Sequence, residues 1–547
     1  MRYILNPYIA LRSWMLVPYA YYIKGERNAK GLTAEEFAFL TECDGRSELP
    51  DEAESPLARK FLADGFIRKA ENGDVLSDWS RPRLCPNRYF PAMNWMITGK
   101  CNYNCIHCFN AADNAPLMSE WSMDEADRLL DQARDCGINA FTITGGEPML
   151  HKSFFEILEG IYARGMYVEE LNTNGYFIDR QALDRMKDIG CVPLMKISFD
   201  GLGYHDWMRA HQGAEETALR AIRLCVENDF PVKVQTNMNR RNRDSMLKTA
   251  ERLDAMGVAE MRIIRTTEAP RWVQNAGDAC LTFEEYYDEA LLLWQKYAQG
   301  EHTMDLTIWQ FGTLYPRSGF YTLTAVNSCA GEYRSSAPVC KGNRGMVAVA
   351  ANGNVFPCHQ MSGYYEQHGD ILGNAKREPL SQLLSGGPYL DEVCTTLGTL
   401  REKNTKCAGC AYFELCNGGC RAVALALTGD KLGVDPSKCL FWEQGYHKKI
   451  EALLPQYHTV YTGSNRISAA VCCLLSSERF NMRLFPLSRC CGGDTRSLAS
   501  SFVTSRQSGS GRKEKVKSKA ATRMTRTPLR SVCSRSTVRP AAVGLMG

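Results

Sequence analysis

Cys101, Cys105 and Cys108 stand in the spacing C-x3-C-x2-C within the stretch CNYNCIHCFN. Three thiolates suit an iron-sulfur cluster that keeps one iron open, whereas a structural zinc site closes with four ligands. His107 lies inside the x2 gap, an awkward place for a fourth ligand. A second set follows far downstream: Cys407, Cys410, Cys416 and Cys420 run C-x2-C-x5-C-x3-C, with Cys340 and Cys358 before them and Cys439 after. A C-x2-C pair alone favours a zinc ribbon, which remains an alternative reading of this region.

The elements that must position these thiols are legible in the apolar periods. From about 91 to 310 short apolar strands alternate with amphipathic helices: PAMNWMIT, AFTIT, VEELNTN, PLMKISF, PVKVQTNM and MRIIR. The helix after Ser122 has Glu125 as its capping partner and places Ala126, Leu129, Leu130 and Ala133 on one face, with Gly137 as its stop. Ser153 and Glu156 have the spacing of another capping box, opening a helix to Arg164. Six strands, each followed by a helix, predict an α/β fold whose parallel sheet curves into an open barrel, with chemistry at the carboxyl ends of the strands. The first cysteine set falls directly after the first strand.

Ahead of the barrel, residues 1 to 85 read as a small domain of strand, helix, helix and wing. Thr33 and Glu36 cap one helix, Ser55-Pro56 opens a second, and Glu71-Asn72-Gly73-Asp74 predicts a hairpin turn. This is a winged-helix pattern. Residues 329 to 445 form a third, cysteine-rich region. Residues 460 to 547 are rich in Ser, Thr, Arg and Lys without an apolar period, and are read as disordered; a reading-frame artefact or an RNA-binding arm are the alternatives. Cys43, Cys136, Cys191 and Cys225 stand alone in apolar surroundings and read as core residues.

Bulk properties narrow the classes further. With 547 residues, 44% of them hydrophobic and 23% charged, the chain fits a soluble protein of two to four domains. The apolar N-terminus is broken by Asn6, Pro7, Arg12 and Pro18 and shows no cleavage site, and no run reaches the roughly 18 apolar residues of a membrane span. A reducing, cytoplasmic location follows, in which cysteine spacings favour metals over disulfides. The 23 cysteines are unusual for such a protein. The net charge of +4 is a property of the tail: residues 460 to 547 carry 16 basic and 3 acidic side chains, leaving −9 for the remainder. Residues 1 to 90 carry 13 of each sign, which is no footprint for a nucleic-acid backbone.

The cysteine spacing, its place after the first strand and the following Phe109 resemble the radical S-adenosylmethionine (SAM) superfamily. The motif Thr144-Gly145-Gly146-Glu147-Pro148 at the end of the second strand strengthens the resemblance. By that resemblance this motif contacts the methionine amino group of SAM, Glu147 offering an acceptor; a tight strand-to-helix turn is its purely structural alternative. The polar strand ends Asn172-Thr173-Asn174-Gly175 and Ser198-Phe199-Asp200-Gly201 match as well. Asn174, Ser198 and Asp200 are implied to lie near SAM, Ser198 at its ribose or carboxylate. Arg209 is a carboxylate candidate, the alternative being a solvated arginine at a helix start.

The later cysteines resemble the SPASM extension, which holds two auxiliary [4Fe-4S] clusters. The resemblance implies Cys340, Cys358 and Cys420 for the first and Cys407, Cys410, Cys416 and Cys439 for the second. The first set is one ligand short, to be completed by Cys329 or left open for substrate. SAM and three clusters are thus the implied cofactors, with a low-potential donor such as flavodoxin or ferredoxin as redox partner. The segments LTAEEFAFLTECDG and SPLARKFLADGFI resemble the peptide-recognition domain of ribosomal peptide maturases, which captures a leader peptide as an added strand; a mere cap on the barrel is the alternative. The function this implies is maturation of a ribosomally made precursor peptide, with a thioether or carbon-carbon crosslink as product. Two other functions stand beside it. One is an anaerobic sulfatase maturase, in which an Asp base commonly follows the cysteine equivalent to Cys358, where this chain has His359. The other is a non-catalytic iron-sulfur or zinc scaffold that binds nucleic acid.

Overall fold

The computed structural model describes residues 1–108, 118–266, 270–323 and 335–460, all within one compact unit. Phe109, Cys329 and the tail beyond 460 lie outside the described residues.

The N-terminal segment builds strands β1 (Tyr3–Leu5), β2 (Ile9–Met15), β3 (Val17–Ile23) and β4 (Lys30–Gly31), then helices Ala34–Thr41 and Pro56–Ala63, then β5 (Ile67–Lys69) and β6 (Arg83–Arg88). Thr33 and Glu36 form the expected capping box, and Ser55 caps the second helix with Pro56 in its first turn. Leu40, Ala58 and Phe61 bury the apolar faces of these helices against β1 and β2.

The winged pattern differs in two respects. The turn at Asn72-Gly73 is present, closed by Arg68 on Asp74, but no return strand follows it; β5 pairs antiparallel with β1 instead. The stretch Ile9–Ile23, not assigned from the sequence, forms a hairpin at the centre of a four-stranded sheet of order β4-β3-β2-β6. Its period is hidden because β2 is buried almost throughout, so it does not alternate.

The barrel strands are β7 (Ala92–Thr98), β8 (Ala140–Gly145), β9 (Tyr167–Thr173), β10 (Leu194–Ser198), β11 (Val232–Met238) and β12 (Glu260–Arg265), all parallel and in sequence order. The expected period-2 pattern is clear on β11, where Val232, Val234, Thr236 and Met238 are buried toward the helices and the alternate residues face the lumen. Ser122 and Glu125 form the expected capping box, whereas Ser153 and Glu156 do not. A short 3-10 turn at Pro148–Leu150 delivers Ser153 in a non-extended conformation, and its N–H donates to His151 Nδ1. The lone cysteines Cys43, Cys136, Cys191 and Cys225 are all buried in core clusters.

The sheet extends past the six expected strands. On one side β13 (Asp305–Ile308), β14 (Gly312–Tyr315) and β15 (Phe320–Leu323) continue it. On the other, β16 (Met346–Val349) pairs parallel with β7 and is followed by β17 (Val355–Phe356). A last strand, β18 (His458–Val460), pairs with β15. The cysteine-rich region is therefore joined to the barrel by main-chain hydrogen bonds, which sets Cys358 beside the barrel edge.

The N-terminal module packs on the barrel rim opposite the first cysteine set. Trp14 Nε1 donates to Cys136 O at 2.8 Å, Tyr22 Oη to Gly137 O at 2.9 Å, and Asn139 Nδ2 to Glu26 O at 2.7 Å. Residues 136–139 lead into the amino end of β8, whereas Cys101 follows the carboxyl end of β7.

Candidate active site

A cavity of about 330 Å³ opens at the carboxyl ends of the barrel strands. Cys101, Cys105 and Cys108 line it together with Gly145, Gly146, Asn174, Ser198 and Arg209, so the structure gathers most of the residues expected there. Glu147, Pro148 and Asp200 do not line it.

Glu147 is fully buried and serves as a brace. Its carboxylate accepts from Thr173 Oγ1 at 2.8 Å, Asn174 N at 2.7 Å and Met149 N at 3.2 Å, tying the end of β8 to the end of β9. Burial raises its pKa to about 7 against these donors. Gly145 and Gly146 are required by backbone contact: a Cβ on Gly146 would stand 2.2 Å from Lys100 O, so the glycine seats the chain that delivers Cys101. The close approach at these glycines is thus to protein backbone.

Asp200 and Arg209 form a second brace. Arg209 Nη2 stands 2.8 Å from Asp200 Oδ2, an ion pair whose alignment falls short of a hydrogen bond, and its Nη1 stands 3.7 Å from Cys105 Sγ. Burial would raise the Asp200 carboxyl, but Arg209 leads the groups that outweigh it and hold it well below the ordinary range. Asp200 also accepts from Asn237 N at 3.0 Å. Arg209 is therefore buried and paired with Asp200 rather than solvated, while its Nε has no hydrogen-bond partner among the described residues.

The cysteine loop is pinned from several sides. Ile106 N donates to Met208 O at 3.0 Å, and Asn174 Nδ2 donates to Asn102 Oδ1 at 2.8 Å. His107 Nδ1 stands 3.2 Å from Met208 O and Nε2 3.2 Å from Asn237 Nδ2. A carbonyl only accepts and an amide nitrogen only donates, so the imidazole is neutral with its proton on Nδ1, and both nitrogens are engaged. Burial lowers its pKa to about 4. His107 is thus no fourth ligand.

Asn237 and Gln360 also line the cavity and were not singled out from the sequence. Asn237 ends β11 as Asn172 and Ser198 end their strands, and that parity could have found it. Gln360, two residues past Cys358, comes from the cysteine-rich region, and no local signal marks it.

In that region Cys340, Cys358 and Cys420 each occupy the N-cap position of a helix. They lie close enough to act on one another: burial raises the Cys358 thiol, and the charges of Cys420 and Cys340 raise it further. Cys407, Cys410, Cys416 and Cys439 line one small second cavity with Lys438 and Asp435. The two groups match the division expected above. Asp435 links them: Oδ2 accepts from Cys420 N at 2.7 Å and Gln310 Nε2 at 3.2 Å, Oδ1 from Ser437 N at 3.0 Å and Lys438 N at 3.2 Å. Gly419 is irreplaceable beside it, with φ +77 and an added Cβ only 2.4 Å from Asp435 Oδ2. Burial lowers the Lys438 ammonium to about 8, and its Nζ donates to Gln310 O.

All 17 described cysteines are free. Among the described residues no three His, Cys, Asp or Glu side chains converge to hold a single metal ion; ligands of a cluster need not, because each binds a different iron. Free thiols grouped at a cavity and braced by buried polar networks fit iron-sulfur clusters in donor chemistry and in placement. No helix among the described residues is long and apolar enough to cross a membrane.

Residues 95–253 match the radical SAM superfamily, and residues 340–411 match the SPASM iron-sulfur cluster-binding domain. The AdoMet-dependent heme synthase of Methanosarcina barkeri is 27% identical over 347 residues, 62% of this chain and 94% of that protein. The PqqA peptide cyclase of Granulibacter bethesdensis is 24% identical over 349 residues, 63% of this chain and 86% of that protein. Among solved structures, Streptococcus suis SuiB bound to its precursor peptide SuiA shares the fold with a TM-score of 0.56 at 13% identity, across 80% of this chain and 99% of that one.

Proposed function

The chain is a radical SAM enzyme with a SPASM iron-sulfur domain, and from that premise we propose that it matures a ribosomally made precursor peptide by hydrogen abstraction, forming a thioether or carbon-carbon crosslink. When bound, SAM and its cluster supply a 5′-deoxyadenosyl radical. The chain's own residues would hold and shield that chemistry. Cys101, Cys105 and Cys108 would ligate the cluster, kept in place by Arg209, Met208 O and Asn174. Ser198 and the backbone at Gly145 and Gly146 would form the wall against which SAM lies. The two groups of SPASM cysteines would carry auxiliary clusters, giving three [4Fe-4S] clusters in all, with an external low-potential partner as the electron donor.

The observation that carries the peptide reading is the module of β1 to β6 fused to the barrel, whose two-stranded and four-stranded sheets are of the kind that takes up a peptide by strand addition. The fold likeness to SuiB and the sequence likeness to PqqA peptide cyclases support it. A tetrapyrrole substrate is the second reading, favoured by the heme synthase relatives, whose alignments, like that of the peptide cyclase, leave more than a third of this chain unmatched. The formylglycine reading is weaker. His359, in the position of the expected base, has both ring nitrogens shut off from water, which lowers its pKa to about 4, and would hold an abstracted proton poorly.

The deciding experiment is anaerobic co-expression with each short reading frame flanking the gene, followed by high-resolution mass spectrometry in normal and heavy water. Loss of two hydrogens per modified residue supports an oxidative crosslink. Unchanged mass with deuterium uptake would mean epimerisation, and no change in any peptide would move the substrate to a protein or a small molecule, a tetrapyrrole among them.

A further inference from the structure

On β12 the fully buried Met261 and Ile263 face the helices, so Glu260, Arg262 and Ile264 face the lumen. Ile264 lines the cavity that holds the three cysteines. Arg262 lies two residues below it, roughly 7 Å along the strand, half-buried beneath the cavity rather than in its lining. Across the sheet it sits in one row with Gln235 and Ser198, and Ser198 also lines the cavity.

Other lysines of this face are paired. Lys196 stands 3.3 Å from Glu170, and Lys233 stands 2.9 Å from Glu260, which also accepts the Thr307 hydroxyl at 2.7 Å. Above them Arg209 is committed to Asp200. Arg262 differs: its carbonyl accepts from Gln235 Nε2 at 3.4 Å, but its guanidinium has neither an ion pair nor a hydrogen bond among the described residues. Burial lowers the Lys196 pKa against the pull of Glu170, and the charges of Arg262 and Lys233 lower it further, so both of these cations stand near Lys196.

We infer that Arg262 forms a carboxylate-binding subsite in the barrel lumen, and that the substrate presents an acidic side chain to it. A half-enclosed guanidinium loses hydration without a partner, and its planar fork takes both oxygens of a carboxylate at once. A single neutral amide there would leave one N–H of the fork unmatched. The subsite stands on the geometry alone; that its carboxylate comes from a Glu or Asp of a peptide rests on the peptide reading above.

The test is protection of Arg262 from phenylglyoxal in the anaerobic holoenzyme, read by mass spectrometry of the peptide containing it, with exposed arginines as internal controls. Glutarate is expected to slow modification several-fold, while glutaramide and SAM alone do not. Equal effects of glutarate and glutaramide, or none, would overturn the subsite. Protection by SAM alone would assign the guanidinium to the cofactor's carboxylate and overturn it as well. A pentapeptide pool with a central fixed Glu is expected to protect where the matching Gln pool does not; protection by glutarate but not by the Glu pool would keep the subsite and remove the peptide as its source. In parallel, Arg262→Gln is expected to leave SAM affinity unchanged by equilibrium dialysis, and a loss of about tenfold would count against the assignment.

Discussion

Arg209 joins the helix after β10 to the cysteine loop: one guanidinium nitrogen stands 2.8 Å from Asp200 Oδ2 and another 3.7 Å from Cys105 Sγ. The pair is almost entirely removed from water, so breaking it strands a charge. Arg209→Met is expected to destabilise the apo chain by about 3–5 kcal/mol, measured by denaturant unfolding. Arg209→Lys should lose less, because it keeps the charge near Asp200 but not both contacts.

The three cysteines of the loop and the seven of the SPASM region line separate places. Replacing Cys101, Cys105 and Cys108 together with Ala should abolish SAM cleavage and lower iron from about twelve to about eight atoms per chain, leaving the auxiliary signals. Anaerobic iron and sulfide analysis with 5′-deoxyadenosine assay reads both. Retained cleavage would remove these residues from the radical site.

Glu147 makes stability depend on pH. Its folded pKa of about 7 lies above the ordinary value of 4.5. The stability tied to its protonated form is therefore present below pH 4.5 and is lost as pH rises through 7. The loss is at most about 3 kcal/mol. Glu147→Gln should flatten this slope between pH 5 and 8. It should also lower stability at pH 5, because its amide NH₂ takes the place of one oxygen and faces either the Asn174 N–H at Oε2 or the Thr173 hydroxyl and Met149 N–H at Oε1. Thermal melts of both forms across that range decide it.

Asp435 accepts hydrogen bonds from Cys420, Gln310, Ser437 and Lys438, with both oxygens engaged. Asp435→Asn turns one acceptor into a donor that faces donors, at a cost of about 2–4 kcal/mol. The expected outcome is loss of auxiliary iron with SAM cleavage retained, seen by electron paramagnetic resonance and product assay.

The N-terminal module and the first cysteine set lie at opposite rims of the barrel. A peptide held by the module must cross the height of seven-residue strands such as β11, about 23 Å in extended form. The modified residue is therefore expected at least about seven residues from the recognition segment. Shortening that spacer should abolish modification without weakening binding, as measured by mass spectrometry and calorimetry.

The six parallel strands, their order and the cysteine spacings were legible in the sequence, because a sheet packed under helices writes its period into the residues. Cys101 after β7 and Ser198 at the end of β10 follow from that period alone, since chemistry in a parallel sheet gathers where strands end. Capping was partly legible. The Ser122 box formed because Ser122 itself is extended, and the Ser153 box did not because Ser153, shortly after a 3-10 turn, is not.

What the sequence determined by itself was therefore local: which segments are strands, where they end, and which thiols are spaced to share a cluster. What only the tertiary structure decided was the partner of each polar group. Glu147 and Asp200 carry motif positions, yet the fold gives both to protein donors, because their strand ends bury them against the neighbouring strand. Gln360 and Arg262 carry no motif. They reach the lumen because β16 pairs with β7 and because β12 has a face, and such long-range pairing leaves no mark on the residues it brings together.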